Sequence, residues 1–159
     1  MTELHKIKQY LAGYNIEVWE YDELTATSVT AAEAVGCSVA EIAKTLLFLI
    51  GGQPVAVVTC GDMKVKSSPL KKAFNLTGKV KLPQAEEVIS YTGYAPGGVC
   101  PFLLPAELPV RLDRSLERFS VVYAAGGNSY SAVPVTLEQL KLLTGGTLAD
   151  LCEPISIVG

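Results

Sequence analysis

Apolar residues follow helical spacing in some segments of this chain and strand-like spacing in others. Leu4, Ile7 and Leu11 lie three and four residues apart, which predicts an amphipathic helix over residues 3–14. Capping residues such as serine, threonine and glycine mark the ends of further helices. These are predicted at residues 29–35, in a short segment from Ser38, at 68–74, 84–91 and 136–145, and as a last turn at 147–151.

Extended segments are predicted where β-branched and apolar residues follow one another. The clearest is a β-hairpin, in which strands at residues 45–50 and 55–59 flank the turn Gly51-Gly52. Shorter strands are predicted at 17–21, 79–82, 110–112 and 120–125. Because helices and strands are intermixed without regular alternation, we expect a single α+β domain over residues 1–159, with a mixed sheet rather than a doubly wound parallel sheet.

The composition agrees with one folded domain that stays outside membranes. Of the 159 residues, 49% are hydrophobic and 18% are charged, which provides enough apolar material for a substantial core. The longest uninterrupted apolar run covers residues 46–50, whereas a membrane-spanning helix needs about 20 apolar residues. The N-terminus also lacks the apolar core of a signal peptide. We therefore expect a soluble, cytoplasmic protein without a membrane partner.

The cysteine and histidine content argues against metal and conventional nucleophilic chemistry. Cys37, Cys60, Cys100 and Cys152 are scattered, and the single histidine, His5, lies near the N-terminus. A structural zinc site needs clustered ligands, so we expect no metal and no other cofactor. Serine and cysteine hydrolases need a general base, usually histidine, beside the nucleophile, and His5 is an unsuitable candidate.

Positive charge is concentrated in one segment of an otherwise acidic chain. The net charge is −3, yet residues 64–81 contain six lysines and no acidic residue. Such a segment can contact nucleic-acid phosphates while the rest of the chain stays acidic. A solvated lysine-rich face is the alternative interpretation. The candidate phosphate contacts are Lys64, Lys66, Lys71 and Lys72.

Two segments have a composition that could carry chemistry. Lys44 comes immediately before the apolar strand at 45–50, where its ammonium group could bind an anion or its stem could extend to solvent. Residues 93–101 contain three glycines and two prolines, so their backbone N–H groups could donate to a carbonyl or phosphate oxygen, or the segment could be a structural turn. A further glycine cluster, at residues 125–129, follows a predicted strand.

Together these segments resemble the YbaK and prolyl-tRNA synthetase editing-domain family of aminoacyl-tRNA deacylases, over about residues 4–151. Residues 41–48, EIAKTLLF, resemble the family's Lys-Thr-Leu segment. Residues 93–102 resemble its Gly-Tyr-x-x-Gly-Gly-x-Ser-Pro loop, and residues 122–127 its late strand and Gly-Gly turn. The resemblance implies a compact mixed β-sheet or barrel-like core flanked by helices.

The resemblance also implies the activity and the site. Members hydrolyse the ester of mischarged aminoacyl-tRNA, most often proline tRNA that carries a small wrong amino acid such as alanine or cysteine. Lys44 would hold the terminal adenosine or its phosphate, and the N–H groups of Gly97 and Gly98 would polarise the ester carbonyl. The implied partners are tRNA and prolyl-tRNA synthetase, not DNA. The implied substrate-binding residues are Tyr21, Tyr94, Val99, Cys100, Pro101, Ala125, Gly126 and Gly127.

Some positions depart from the family pattern. Cys100 replaces the family's common serine, and residues 102–104 lack a glycine that often follows it. Cysteine-specific members tend to have serine and an acidic residue where this chain has Ala125 and Ala132, so alanyl or another small aminoacyl group is favoured at least equally. Two alternatives stay open: a non-catalytic module that binds tRNA or a synthetase, and a thiol-based redox protein that uses Cys100.

Overall fold

A five-stranded mixed sheet organises the structure, a computed structural model that describes residues 2–155. Met1 and residues 156–159 of the predicted domain lie outside the described residues. The helices are α1 (Glu3–Ala12), α2 (Ser28–Val35), α3 (Ser67–Phe74), α4 (Ala85–Thr92) and α5 (Leu137–Thr144), with 3₁₀ turns at Val39–Glu41 and Arg114–Arg118. The strands are β1 (Trp19–Glu20), β2 (Ala43–Ile50), β3 (Gln53–Cys60), β4 (Met63–Val65), β5 (Val80–Lys81), β6 (Val110–Asp113), β7 (Val122–Ala124), β8 (Ser131–Val135), β9 (Thr147–Ala149) and β10 (Cys152–Pro154).

Within residues 2–155, the strands form three sheets that do not close into a barrel. The largest has the order β5-β2-β3-β6-β9, with β2 antiparallel to β3 and β5, and with β3, β6 and β9 parallel. A second, antiparallel sheet has the order β1-β8-β7, and β4 pairs with β10. One β-bridge between Ile42 and Tyr123 connects β7 to the start of β2. The expected α+β fold with a mixed sheet is confirmed, and the barrel-like form of that expectation is not.

The central hairpin carries a hydrophobic core on each face. Side chains alternate along a strand, so Leu47 and Val58 point to the larger core, which contains Ile7 and Leu11 of α1. The alternate residues of the two strands, such as Ile50, point to the other face of the sheet, where the smaller core lies beneath α3. Lys44 and its cross-strand partner Thr59 belong to the α3 face, whereas Thr45 and its partner Val58 belong to the larger core face.

Most predicted elements with a local signal are confirmed. Helix α2 ends at Gly36, whose φ of 84° is the left-handed conformation that glycine adopts without strain. Helix α5 begins with the predicted capping box, in which Thr136 and Gln139 bond reciprocally. The hairpin has the predicted turn, although β2 begins at Ala43, so that Lys44 lies within the strand and not before it.

Other expectations were wrong where the pairing partner lies far away in sequence. Residues 147–149 form strand β9 parallel to β6, not a helical turn. Helix α3 begins at Ser67 with Lys66 as its N-cap, so Ser68 does not cap it. Strand β8 was not predicted because it contains Pro134, which lacks the N–H group that a ladder uses. Its pairing with β1 and β7 supplies the missing information.

Candidate active site

A cavity of about 270 Å³ opens beside the first half of β2. Its second wall consists of β7 and β8 with the start of the loop between them. Its third wall is the segment 25–28, which leads into the first turn of α2. Gly97 and Val99 of the glycine-rich loop close it from the remaining side. Four parts of the chain that are distant in sequence therefore meet at one site.

The edge of β2 faces this cavity because β5 pairs with the other end of the strand, at Leu49 and Ile50. The carbonyl of Ile42 accepts a hydrogen bond of 2.7 Å from the N–H of Gly61, on the β3 side. In an antiparallel pair, successive residues direct their backbone groups to alternate sides. The N–H and C=O of Thr45 consequently point away from β3, toward the cavity.

The side of the sheet to which Lys44 belongs has a polar layer that is already satisfied. Thr59, opposite Lys44, donates a hydrogen bond of 3.4 Å to Oδ2 of the buried Asp113. This carboxylate also accepts from the N–H of Ser115 at 3.1 Å and from the N–H of Leu151 at 2.9 Å. Asp113 therefore acts as a structural acceptor that ties β3 to the chain after β9, rather than as a free general base.

Lys44 is half-buried, and none of the ion pairs found within residues 2–155 includes it. Asp62 is bound instead by Arg118 through hydrogen bonds of 2.7 and 3.0 Å. Arg118, and more weakly Lys44, hold the pKa of the Asp62 carboxyl below its usual range. Lys44, which lines the cavity, is thus not neutralised by an ion pair within the described residues.

The two glycine loops pack directly against each other. A Cβ atom on Gly98 would lie 2.9 Å from Cα of Asn128 and 3.1 Å from the carbonyl oxygen of Gly127. Gly97 has a φ of 89°, and a Cβ there would lie 3.0 Å from Oγ of Ser129. Only glycine permits this close contact between two backbones, so these residues set the position of the cavity wall.

A buried hydrogen-bond network attaches the segment 25–28 to β8. The N–H of Ser131 donates to Oγ1 of Thr25 at 3.1 Å, and that hydroxyl donates to the carbonyl of Ser131, also at 3.1 Å. Oγ of Ser131 accepts from the N–H of Gly126 at 2.9 Å. The cavity residues Thr25, Thr27, Ser28, Thr45 and Ser131 were not predicted from sequence. Two of them had a local signal, since Thr27 caps α2 and Thr45 belongs to the Lys-Thr-Leu segment.

The structure brings together some of the predicted site residues and separates others from the cavity. Lys44, Gly97, Val99 and Ala125 line it, and so does Ala132. The predicted residues outside its lining are Tyr21, Tyr94, Gly98, Cys100, Pro101, Gly126 and Gly127.

Two of these residues, Tyr94 and Gly98, stabilise the glycine-rich loop that borders the cavity. The buried hydroxyl of Tyr94 donates to the carbonyl of Phe102, which fixes the glycine-rich loop. The N–H of Gly98 donates to the carbonyl of Ala95 at 3.0 Å. The expectation that this N–H polarises a substrate carbonyl therefore needs correction, since its hydrogen is already used within the turn. Gly97 remains as the candidate donor.

The lysine-rich segment lies outside the cavity lining. Its candidate phosphate contacts, on β4 and α3 and at the start of that helix, are Lys64, Lys66, Lys71 and Lys72. Helix α3 packs through Leu70 on the sheet face to which Lys44 belongs. Lys66 lies 4.0 Å from Glu153, so part of its charge is compensated. The segment and Lys44 therefore share one side of the sheet.

Cys100 is fully buried, and burial raises the pKa of its thiol to about 12. At pH 8, about one molecule in ten thousand would carry the reactive thiolate. We expect iodoacetamide to leave Cys100 unmodified in the folded protein, as measured by peptide mass spectrometry. Alkylation in denaturant is the control that should label Cys100. Stoichiometric labelling of the folded protein with loss of activity would instead support a thiol mechanism.

The described residues show neither a metal cluster nor a membrane-crossing helix. Within residues 2–155, His, Cys, Asp and Glu side chains form no group of three or more that could hold a metal ion. In the same part of the chain, each helix is too short or too polar to cross a bilayer.

Comparisons with known proteins agree on one family. The sequence profile of the aminoacyl-tRNA editing-domain family matches residues 22–143 of this chain. The uncharacterized protein YwhH of Bacillus subtilis is 36% identical over 94% of this chain and 97% of that protein. The proline–tRNA ligase of Bacillus licheniformis is 31% identical over 79% of this chain but only 22% of the ligase. The crystal structure of a proposed trans-editing enzyme for prolyl-tRNA synthetase has a TM-score of 0.86 and 29% identity, covering 96% of this chain and 98% of that one.

Proposed function

Because the chain belongs to the aminoacyl-tRNA editing-domain family, we propose that it is a deacylase that acts in trans on mischarged aminoacyl-tRNA. Its substrate is proline tRNA that carries a small wrong amino acid. The similarity to a proline–tRNA ligase and to a proposed trans-editing enzyme supports this choice of tRNA. We further propose prolyl-tRNA synthetase as the partner and the cytoplasm as the site of action, and the similarity to a proline–tRNA ligase supports both.

The observation that carries the proposal is that Lys44 and Gly97 line the same cavity although they are far apart in sequence. The Lys44 ammonium group holds the phosphate or ribose of the terminal adenosine, and the N–H of Gly97 donates to the ester carbonyl oxygen. Water, or a neighbouring group of the substrate, attacks the carbonyl carbon. With water, the ester C–O bond breaks, the ribose oxygen takes a proton, and free amino acid and tRNA leave.

The cavity walls agree with a small aminoacyl group. Ala125 and Ala132 stand on the β7–β8 side, and the volume of about 270 Å³ leaves little space for a large side chain beside the terminal ribose. Small amino acids escape a synthetase's own selection because one methylene group changes binding by only about 1–3 kcal/mol. A second hydrolytic cavity supplies the missing discrimination.

Purified protein and proline tRNA charged separately with alanine, cysteine, serine and proline test this function. We expect release of free amino acid from at least one small aminoacyl ester, and little release of proline. The rival function is a non-catalytic module with the same fold. Tight binding of the charged tRNA without turnover would support that module and contradict the deacylase.

We propose that the lysine segment contacts the tRNA phosphates, and this predicts a strong salt dependence. Neutralising Lys71 and Lys72 together, each to Gln, should weaken tRNA binding and reduce the slope of log Kd against log salt by about 1.5–2. Filter binding from 50 to 300 mM salt measures this slope. The matched control replaces Lys6 and Lys141 with Gln, which removes equal charge from α1 and α5. Equal slopes in both double variants would show that the segment does not contact the tRNA.

A further inference from the structure

Three acidic side chains near the start of β2 are each engaged by a partner other than Lys44. Glu41 accepts hydrogen bonds of 3.0 and 2.9 Å from the N–H and the hydroxyl of the serine that begins its turn. Asp113 is held by a threonine hydroxyl and two backbone N–H groups. Asp62 is held by Arg118. Within residues 2–155, Asp62 is the one of these three that forms an ion pair with a cation.

Arg118 holds Asp62 through both of its terminal nitrogens. They donate to the two carboxylate oxygens at 3.0 and 2.7 Å, a fork that matches the shape of a carboxylate. The remaining nitrogen, Nε, donates to the carbonyl of Ser115 at 2.9 Å, and the guanidinium lies 5.0 Å from the ring centre of Phe119. The position of Arg118 is therefore fixed from three sides.

Asp62 lies beside the end of β2 that carries Lys44. Strand β3 ends opposite Ala43, and the N–H of Gly61 bonds to the carbonyl of Ile42 at 2.7 Å. The next residue, Asp62, is thus a neighbour of this end of β2, where Lys44 is the second residue of the strand. Besides the arginine that binds it, Lys44 lowers the pKa of the Asp62 carboxyl, so the two charges already attract each other.

We propose that Arg118 is a positioning residue of the deacylase, which keeps the Asp62 carboxylate occupied and thereby leaves the Lys44 ammonium group for the substrate. This rests on the proposed function, in which Lys44 contacts the terminal nucleotide. Without Arg118, Asp62 loses its cation, and the flexible stem of Lys44 lets the ammonium group turn toward it. Because an ion pair between part-exposed groups is weak, the competition lowers the activity without abolishing it.

The test breaks the contact from each side in turn. Arg118→Gln leaves a competing carboxylate and should lower kcat/KM for deacylation by about three- to tenfold. Asp62→Asn breaks the same contact but leaves no competing charge, so its loss should stay below about twofold. The double variant Arg118→Gln/Asp62→Asn should regain turnover to within about twofold of the natural chain. Equal losses in both single variants, without recovery in the double variant, would indicate a purely structural contact and overturn the proposal.

Two control variants separate this competition from a general effect of charge. Arg114→Gln removes equal positive charge from the same 3₁₀ turn and should behave like the natural chain. Glu117→Gln, combined with Arg118→Gln, removes equal negative charge from that turn and should not restore turnover. Recovery with Glu117→Gln would show that net charge, and not Asp62, decides the rate, and the proposal would fail.

Competitive labelling measures the state of Lys44 without any turnover. A limiting amount of N-hydroxysuccinimidyl acetate acetylates neutral lysine amines, and peptide mass spectrometry compares Lys44 with the exposed Lys6. The ratio of Lys44 to Lys6 labelling should fall by about threefold in Arg118→Gln and return in the double variant, because a nearby carboxylate favours the unreactive ammonium form. An unchanged ratio would overturn the proposal even where charged tRNA is hydrolysed. The expected ratio without hydrolysis by the natural chain would instead contradict the deacylase function.

Discussion

Replacing Lys44 with alanine is expected to lower kcat/KM for deacylation by about 10²–10³-fold while the fold stays intact. Lys44 is the only charged residue among the described residues that line the cavity. The loss of its side chain therefore removes both a charge contact and the positioning of the substrate. Lys44 takes part in none of the ion pairs found within residues 2–155, so folding does not depend on one. Single-turnover hydrolysis of charged tRNA measures the loss.

Two further variants show what the lysine contributes. Lys44→Met keeps the apolar stem and should be as inactive as the alanine variant, whereas Lys44→Arg keeps the charge and should retain part of the activity. Lys6→Ala, on the exposed side of α1, is the matched control and should behave like the natural chain. Natural turnover in Lys44→Ala, with the same melting temperature, would show that hydrolysis occurs elsewhere.

Replacing Gly98 with alanine should reduce deacylation by about 10²-fold, although Gly98 does not line the cavity. The new Cβ would lie 2.9 Å from Cα of Asn128 and 3.1 Å from the carbonyl oxygen of Gly127, both backbone atoms that cannot rotate away. The two loops must therefore separate, which moves Gly97 relative to Lys44. Misplacement by about 1 Å can cost 10²-fold in rate, and overpacking of this kind costs about 1–3 kcal/mol of stability.

Gly93→Ala supplies the comparison within the same loop. Gly93 caps α4 with a φ of 83°, and a Cβ there would meet nothing within 4 Å. This variant should lose about 1 kcal/mol of stability through backbone strain and retain its turnover. Chemical denaturation and kinetics of both variants measure the difference. If Gly98→Ala kept the turnover of Gly93→Ala, contact between the loops would not position the site.

The family and much of the fold could be predicted from the sequence because their signals are local. Helix ends such as Gly36 and the Thr136 capping box depend on residues a few positions apart, and the hairpin depends on two adjacent apolar runs. The motif around Lys44 and the glycine-rich loop are likewise continuous segments, so their resemblance to the editing-domain family is visible without coordinates.

Only the tertiary structure decided how these segments meet. Strand β9 has its partner in β6, and Thr25 has its partner in Ser131, more than a hundred residues away. The structure also shows that the N–H of Gly98 is engaged by Ala95 and that the Thr45 hydroxyl has no partner. Residue type and spacing determine local conformation. Whether a given N–H or hydroxyl remains free depends on neighbours that only folding brings into contact.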